Sequence, residues 1–375
     1  MQVLICSDAF KDAADAATVC QAIAAGVRQV ASSTQIDVCP LADGGEGTAR
    51  ILSRQTGAEW LSVATVDPLG RPIQAGLGWH DQSRTAFLDM AEASGLQHLT
   101  TGERNPLRTS TFGTGLLLRE AFTLSPDRIY LGIGGSATND GGIGLAAALG
   151  YRFFAGNQRI EMPTGRHLSL WTHIDHRERH PFLAKADIQV LCDVRSPLLG
   201  RQGASHTYAP QKGATPIQVL ALERGLARLN TWWTQHLGRS FAHRKGAGAA
   251  GGLGAGLMAF CGAQLVSGAD TILEVLRVAD RIRGKNLVIT GEGRLDQQSL
   301  SGKLIGQLTT LTGALQVPLI VLCGQSELSS AELRRKGIHA AYVITPPGTP
   351  LGKALLDTPT NLTRTAAQVW NEWAV

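Results

Sequence analysis

The sequence predicts an α/β fold with two domains, and three observations lead to that prediction. Short aliphatic runs alternate with helical patterns at both ends of the 375-residue chain, as in consecutive βαβ units. The stretch between the two ends carries strands and helices of its own. Many of the 44 glycines are clustered inside otherwise globular sequence, which indicates backbone that must approach a ligand closely.

Both chain ends predict elements of one Rossmann-like parallel sheet. The N-terminal end predicts a strand at 2–6, a helix at 15–30 and a strand at 36–39. The C-terminal end predicts strands at 286–290, 318–323 and 341–344 and helices at 304–313 and 329–336. A last amphipathic helix carries Trp370 and Trp373 on its apolar face, and we interpret these side chains as core.

The middle of the chain predicts a second α/β domain. Short alternating runs between 60 and 90 are broken by turn residues, as in an antiparallel meander. Strands at 128–133 and 188–193 follow, with a helix from Gly144. We therefore expect residues 1–60 and 285–375 to form one discontinuous domain, with 61–284 inserted. We expect the active site in the cleft between the two domains.

Composition excludes several classes of function. The net charge of +5 comes from 35 basic and 30 acidic side chains scattered along the chain, so we expect no nucleic-acid partner. The six cysteines form no C-x-x-C pair and are typical of buried thiols in a reducing compartment. Neither a signal peptide nor a membrane-length apolar stretch is evident. We expect a cytoplasmic protein without a membrane partner, and a homodimer is left open.

Two candidate loops follow the first two predicted strands, at the sheet edge where α/β proteins bind ligands. The loop 7–12 holds Asp8 and Lys11, and the lysine can bind a phosphate or carboxylate. A surface ion pair is the alternative. The loop 42–48 interleaves three glycines with Asp43 and Glu46, carboxylates that could bind Mg²⁺ or a substrate hydroxyl. An aspartate that caps a helix is the competing explanation.

Two further glycine-rich loops follow later strands. The segment 132–142 offers backbone N–H groups and hydroxyls between a strand and a helix, as a phosphate-binding loop requires. It differs from a Walker A loop, since no Gly-Lys pair in the chain is followed by Ser or Thr. The segment 290–296 joins glycines to Glu292 and Asp296, which suit metal coordination or, structurally, an ion pair.

Two other features were weighed as candidates. Asp193 ends a predicted strand and could accept the proton of an attacking hydroxyl, or it could cap a helix. The segment 246–251 matches the dinucleotide pattern G-x-G-x-x-G, but residues 241–245 before it are too polar for a buried strand. We interpret it as a helix-packing segment or a loop beside a ligand.

Taken in order, these motifs resemble the type I glycerate kinases along nearly the whole chain. The matching segments read SDAFK from Ser7, ADGGEGT from Ala42, DPLG from Asp67, GTG from Gly113, GIGGSATNDGG from Gly132, CDV from Cys192, PQKGA from Pro210, GAGAAGGLG from Gly246 and TGEGRLD from Thr290. The resemblance implies a two-domain fold and ATP-dependent phosphorylation of D-glycerate, with 2-phosphoglycerate as the usual bacterial product.

We hypothesise a separate role for each group of these residues. Asp193 and Lys11 are the expected catalytic residues, and Mg²⁺ is expected at Glu292 and Asp296. Substrate-binding residues are expected at Asp8, Asp43, Glu46, Arg71 and Lys212. The expected contacts to ATP phosphates are Gly134, Gly135, Ser136, Thr138, Asn139 and Gly141.

The chain departs from the family pattern at Ala9, Ala13 and Leu116, where the family usually has two serines and a glutamate. These changes keep other readings open. One is a kinase that forms 3-phosphoglycerate, and another is a kinase of a related small hydroxy acid. A third is a regulator that binds a sugar acid without turnover.

Overall fold

The computed structural model describes residues 1–297, 299–300 and 304–373. The chain forms two compact units, one made of Met1–Asp43 with Ala269–Val375 and the other of Gly44–Gly268. Residue 60, the expected first join, falls inside the second unit because the helix at 48–56 packs on that unit's own strands. Residue 285, the expected second join, falls inside the first unit.

The elements alternate along the chain as follows. The first unit begins with β1 (Gln2–Ile5), α1 (Ala16–Val30) and β2 (Gln35–Val38). The second unit contains α2 (Thr48–Thr56), β3 (Glu59–Val66), β4 (Pro72–His80), β5 (Thr85–Asp89), α3 (Ala91–Ser94), α4 (Phe112–Thr123), β6 (Arg128–Gly132), α5 (Ile143–Ala148), β7 (Arg152–Ala155), β8 (Gln158–Ile160), β9 (His173–Asp175), β10 (Asp187–Leu191), α6 (Ala204–Tyr208), α7 (Pro216–Leu237), α8 (Ala249–Cys261) and β11 (Gln264–Val266). The chain then forms α9 (Gly268–Val275), α10 (Val278–Ile282), β12 (Leu287–Leu295), α11 (Leu304–Ala314), β13 (Leu319–Ser326), α12 (Ser330–Arg335), β14 (Ala340–Val343), α13 (Leu351–Leu356) and α14 (Thr358–Trp373).

The first unit is built on a five-stranded parallel sheet in the order β14-β13-β12-β1-β2. The three central strands, β1, β12 and β13, contain buried aliphatic runs, as expected when helices cover a parallel sheet. Asp15 caps α1 by accepting from Thr18 N at 2.7 Å. Helices α1 and α14 pack closely, and Trp370 is buried in the core with Trp373 packed against it. The predicted parallel sheet and core tryptophans are confirmed.

The second unit is built on a six-stranded sheet in the order β11-β10-β6-β5-β4-β3. Strands β5, β6, β10 and β11 are parallel. The β3-β4 and β4-β5 pairs are antiparallel, which confirms the predicted meander. A separate three-stranded sheet, β8-β7-β9, lies in the same unit. The α/β fold class predicted from the sequence is therefore correct for both units.

All six cysteines are free thiols, and all but the half-buried Cys192 are buried. In the described part of the chain, no helix has the length and apolar character needed to cross a bilayer.

Candidate functional site

In the first unit, the carboxyl ends of three neighbouring strands converge. Cys6 N donates to Ile289 O at 2.9 Å, so the segment after β1 runs beside β12, and Leu41 N donates to Ser7 O at 2.9 Å, so the segment after β2 runs beside the segment after β1. We call the pocket there the first-unit pocket. It is lined by Asp8, Ala9, Asp43, Gly291, Glu292, Leu304 and Ile305. Three predicted site carboxylates thus share one pocket.

Strand β12 continues to Leu295, five residues beyond the predicted end at 290. Glu292 is therefore a strand residue that pairs with Cys323 of β13, instead of a loop residue. Asp296 directs Oδ1 to Ser299 N, which donates at 3.0 Å. The first-unit pocket includes Glu292, whereas Asp296 is engaged in this local turn.

Lys11 lies in a tight turn closed by Phe10 N, which donates to Ala14 O at 2.9 Å. Its side chain is exposed. Within the described residues, no carboxylate lies at ion-pair distance from it. The ammonium group is therefore available to an anion from solution.

In the second unit, two glycine-rich loops pack against each other at the carboxyl ends of β5, β6 and β10. Gly134 N donates to Gly44 O at 3.3 Å. A Cβ added at Gly134 would lie 2.6 Å from Gly45 Cα, so only glycine allows this approach. Glu46 lies at the same contact, with Oε2 3.3 Å from the position of a Cβ on Gly135. We call this edge the second-unit edge.

The loop after β6 is accessible only at its beginning. Gly134 is half-buried and Gly135 is exposed, whereas Ser136, Thr138, Asn139 and Gly141 are buried. Gly135 has a left-handed φ of 70°. Among the described residues, the N–H groups of Gly135 and Ser136 donate no hydrogen bond. Successive N–H groups beside a left-handed residue form a concave anion-binding nest, so this turn is the accessible part of the predicted phosphate loop.

Lys212 supports this loop from inside the protein. Its side chain is 2% exposed, and Nζ donates to Thr138 O at 2.6 Å and to Ser136 Oγ at 2.9 Å. Burial lowers its pKa to about 7, although the nearby Asp140 carboxylate acts in the opposite direction. Lys212 is therefore not positioned to touch a substrate in solution.

Asp140 closes the same loop onto the following helix. Its carboxylate is fully buried and accepts from Thr111 N and Oγ1, both at 2.8 Å, and from Gly142 N at 3.0 Å. Burial raises its pKa, while these hydrogen bonds act to lower it. Asp140 is a structural residue of the loop.

The segment 246–251 also packs on this loop. Gly251 has a left-handed φ of 67°, and a Cβ there would lie 2.1 Å from Thr138 O. Gly141 N donates to Gly251 O at 3.1 Å. The G-x-G-x-x-G pattern therefore serves close packing against the loop after β6.

Asp89 is a site residue that the sequence analysis missed. It ends β5, is 1% exposed and accepts from Ala49 N, in the first turn of α2, at 3.0 Å. Its Oδ1 is buried and has no hydrogen-bond partner among the described residues. Burial is the main reason that its pKa is raised to about 8. The signal was present, since Asp89 follows an apolar strand directly.

Asp193 follows β10, beside the strand that carries the glycine loop. It is half-buried, and Oδ1 accepts from Gly268 N at 2.9 Å, where α9 begins. The carboxylate therefore has the capping contact that was weighed as an alternative.

Arg71 has its charge satisfied within the second unit. It donates to Asp67 Oδ2 at 2.5 Å, to Glu103 Oε1 at 2.6 Å and to His98 O at 3.0 Å. The turn 67–71 is held by these contacts, since Asp67 is also bonded to the main chain there. Arg71 is thus paired with carboxylates. Lys11 is therefore more available than Arg71 to bind an anionic ligand.

The fold and these loops are typical of α/β proteins that bind ligands at the carboxyl ends of parallel strands. The model of the Glycerate kinase family matches residues 3–374. The glycerate 2-kinase of Escherichia coli K12 is 38% identical over 93% of this chain and 92% of its own. The glycerate kinase of Bacillus subtilis 168 is 36% identical over 98% and 97%.

A solved structure gives the same result for the fold. The glycerate kinase 2 structure from Salmonella typhimurium LT2 has a TM-score of 0.86 and 35% sequence identity, and the match covers 100% of this chain and 98% of that one. The chain belongs to the glycerate kinase family. The family membership predicted from the motifs is confirmed.

Proposed function

We propose that the protein is a glycerate 2-kinase, which transfers the γ-phosphoryl group of ATP to the 2-hydroxyl of D-glycerate. The proposal rests on the arrangement of groups at the second-unit edge. There Gly135 and Ser136 offer two available N–H groups, and the Glu46 carboxylate lies against Gly135. An anion-binding turn next to a hydrogen-bond acceptor is what a kinase needs, because the phosphate donor and the acceptor hydroxyl must meet.

The nucleotide phosphates are assigned to the turn Gly134–Gly135–Ser136. Thr138, Asn139 and Gly141 are assigned to the buried support of the turn, since no ligand can reach them without a rearrangement. Donors held in place by the fold stabilise developing charge without the cost of reorganisation. The buried contacts of Lys212 and Asp140 supply that rigidity.

The acceptor hydroxyl is assigned to Glu46 and Asp193. The glycerate oxygen attacks the γ-phosphorus, its proton passes to Asp193, and the bond to the bridging oxygen breaks to release ADP. Asp193 Oδ1 is held by Gly268 N, which orients the carboxylate. Glu46 would accept a hydrogen bond from a glycerate hydroxyl and so fix its orientation.

The glycerate carboxylate is assigned to Lys11. Of the three cations considered from the sequence, Arg71 is bonded to Asp67 and Glu103, and Lys212 is buried. Lys11 is exposed and has no carboxylate at ion-pair distance among the described residues. A lysine of this kind binds a carboxylate as a point charge.

The first-unit pocket fits Mg²⁺ by the chemistry of its donors, which are the carboxylates of Asp8, Asp43 and Glu292. Mg²⁺ prefers oxygen ligands and keeps several waters, so it does not need a compact protein cage. Glu292 is the preferred ligand, and Asp296 would act from its turn beside it. The ion would supply charge neutralisation on the phosphate oxygens of ATP.

Location and assembly are also part of the proposal. We propose a cytoplasmic enzyme, because its six thiols are free and free thiols are typical of reducing compartments. The homodimer remains a prediction, which sedimentation equilibrium of the purified protein would test.

A substrate panel tests the function. ADP release is measured with ATP and Mg²⁺ against D-glycerate, L-glycerate, glycolate and D-lactate. We expect kcat/KM for D-glycerate to exceed that for each of the others by at least about 100-fold. A site that binds two hydroxyls and a carboxylate rejects glycolate and D-lactate, which lack one hydroxyl, and L-glycerate, whose 2-hydroxyl has the opposite configuration. A higher kcat/KM for another acid would contradict the proposal that D-glycerate is the substrate. ATP binding without turnover on any acid would favour the alternative of a regulator that binds a sugar acid without phosphorylating it.

A further inference from the structure

The amine of Lys212 is placed unusually for a lysine. It ends a short turn of helix, Pro210–Lys212, and the side chain is 2% exposed. Both of its identified hydrogen bonds go to the glycine loop after β6, at Thr138 O and Ser136 Oγ. Ser136 contributes one of the two available N–H groups of the anion-binding turn. The amine therefore contacts the turn from the side that faces the protein interior.

Burying an amine is costly, and an apolar side chain of similar length would pack there without that cost. A purely structural contact is therefore a weak reason to keep a lysine at this position. A positive charge behind an anion-binding turn has a second effect, because charges interact more strongly across the low dielectric of the interior than across water. An anion on the turn would favour the charged form of the amine.

We propose that Lys212 is a positioning residue of the nucleotide site, which fixes the Ser136–Thr138 segment and supplies buried positive charge behind the phosphates. This inference rests on the proposed nucleotide site at Gly134–Gly135–Ser136. It also changes the role expected from the sequence, since Lys212 acts on ATP through the loop and does not touch glycerate.

The surroundings of Lys212 leave its charge sensitive to a ligand. Its pKa is lowered to about 7 by burial, so its charge changes near neutral pH. Asp140, on the loop, is the charged group that acts on it among the described residues. Helix α6 packs on the helical turn Pro210–Lys212 and carries two further titratable side chains, His206 and Tyr208. A bound polyanion would raise the pKa of the amine, so ATP binding above pH 7 should take up a proton.

The test measures ATP binding by titration calorimetry, which does not depend on turnover. In the Lys212→Met variant we expect the Kd for ATP to rise about 10- to 100-fold, as expected for the loss of a charge-assisted contact. The KM for D-glycerate should change less than about threefold. The exposed Lys185→Met variant is the matched control and should bind ATP like the wild type.

A second readout separates charge from structure. At pH 8 in buffers of different ionisation enthalpy, the wild type should take up a fraction of a proton on binding ATP, and Lys212→Met should take up less. A purely structural role would lower the active fraction and leave both the Kd of the folded protein and its proton uptake unchanged, which would overturn the inference. If Lys212→Met does not fold, Lys212→Gln is measured with the same expectation.

If neither variant folds, proton uptake by the wild-type protein on binding ATP at pH 8 is the test. An absence of uptake would overturn the inference. Failure of the proposed function looks different. Wild-type protein that binds ATP but does not phosphorylate D-glycerate would refute the glycerate kinase activity and leave the role of Lys212 standing.

Discussion

The Asp89→Asn variant should change how stability depends on pH. Asp89 is fully buried beside the N-terminus of α2, and burial raises its pKa from 3.8 to about 8. The folded state therefore holds a proton that the unfolded chain releases. This contribution to stability is fully present below pH 3.8, falls as the pH rises and is lost above about pH 8. An asparagine resembles the protonated acid and does not titrate.

The expected change in the free energy of unfolding follows from the pKa shift of Asp89. Between pH 5 and pH 8 the unfolded carboxyl is ionised and the folded one is protonated, so the wild type loses about 1.4 kcal/mol per pH unit, or about 4 kcal/mol in all. The difference in free energy of unfolding, variant minus wild type, should therefore rise by about 4 kcal/mol from pH 5 to pH 9. Lys212 contributes the opposite trend, since its pKa is lowered, but it does so in both proteins and cancels in the difference.

Urea unfolding followed by tryptophan fluorescence measures this difference. The signal reports mainly on the second unit, because that unit holds five of the seven tryptophans, namely Trp60, Trp79, Trp171, Trp232 and Trp233. The exposed Asp81→Asn variant controls for the loss of one carboxylate. If the difference in free energy of unfolding between Asp89→Asn and the wild type stays constant from pH 5 to pH 9, the conclusion that Asp89 is protonated in the folded protein is refuted.

Three further predictions concern catalysis. Asp193→Asn should lower kcat by about 100-fold or more with little change in the unfolding midpoint, because a proton acceptor is lost; near-normal turnover would remove Asp193 from the mechanism. Lys11→Met should raise the KM for D-glycerate about 10-fold and leave the Kd for ATP unchanged, whereas equal effects on both ligands would contradict its assignment. Gly134→Ala should abolish ATP binding measured by calorimetry, since its Cβ would lie 2.6 Å from Gly45 Cα; the control Gly102→Ala, whose Cβ meets no atom within 4 Å, should bind normally.

The strands of the first unit and its helices α1, α11, α12 and α14 could be predicted closely from local pattern, whereas α9, α10 and α13 were not predicted. Buried parallel strands are continuous aliphatic runs, and α1 has an aspartate cap and an apolar face. The end of β12 could not be predicted in this way. Glycines and charges from Gly291 onward are typical of a loop, but pairing with β13 extends the strand to Leu295. Tertiary pairing outweighed local propensity there.

The site was partly predictable for a similar reason. Carboxylates and glycines after strands marked both edges, because the carboxyl ends of parallel strands collect functional loops. Which side chains face solvent could not be predicted. Lys212 lies in a family motif and Arg71 directly follows one, yet Lys212 is buried under the loop and Arg71 is paired with Asp67 and Glu103. Burial and pairing depend on contacts between residues far apart in sequence.

The central claim is that this chain phosphorylates the 2-hydroxyl of D-glycerate. The most direct measurement is ³¹P NMR of the products that the purified protein forms from ATP, Mg²⁺ and D-glycerate. We expect ADP and a phosphomonoester signal coupled to the single proton on C2, which identifies 2-phosphoglycerate. A signal coupled to the two protons on C3 would contradict the choice of hydroxyl, and the absence of any phosphomonoester would contradict the function.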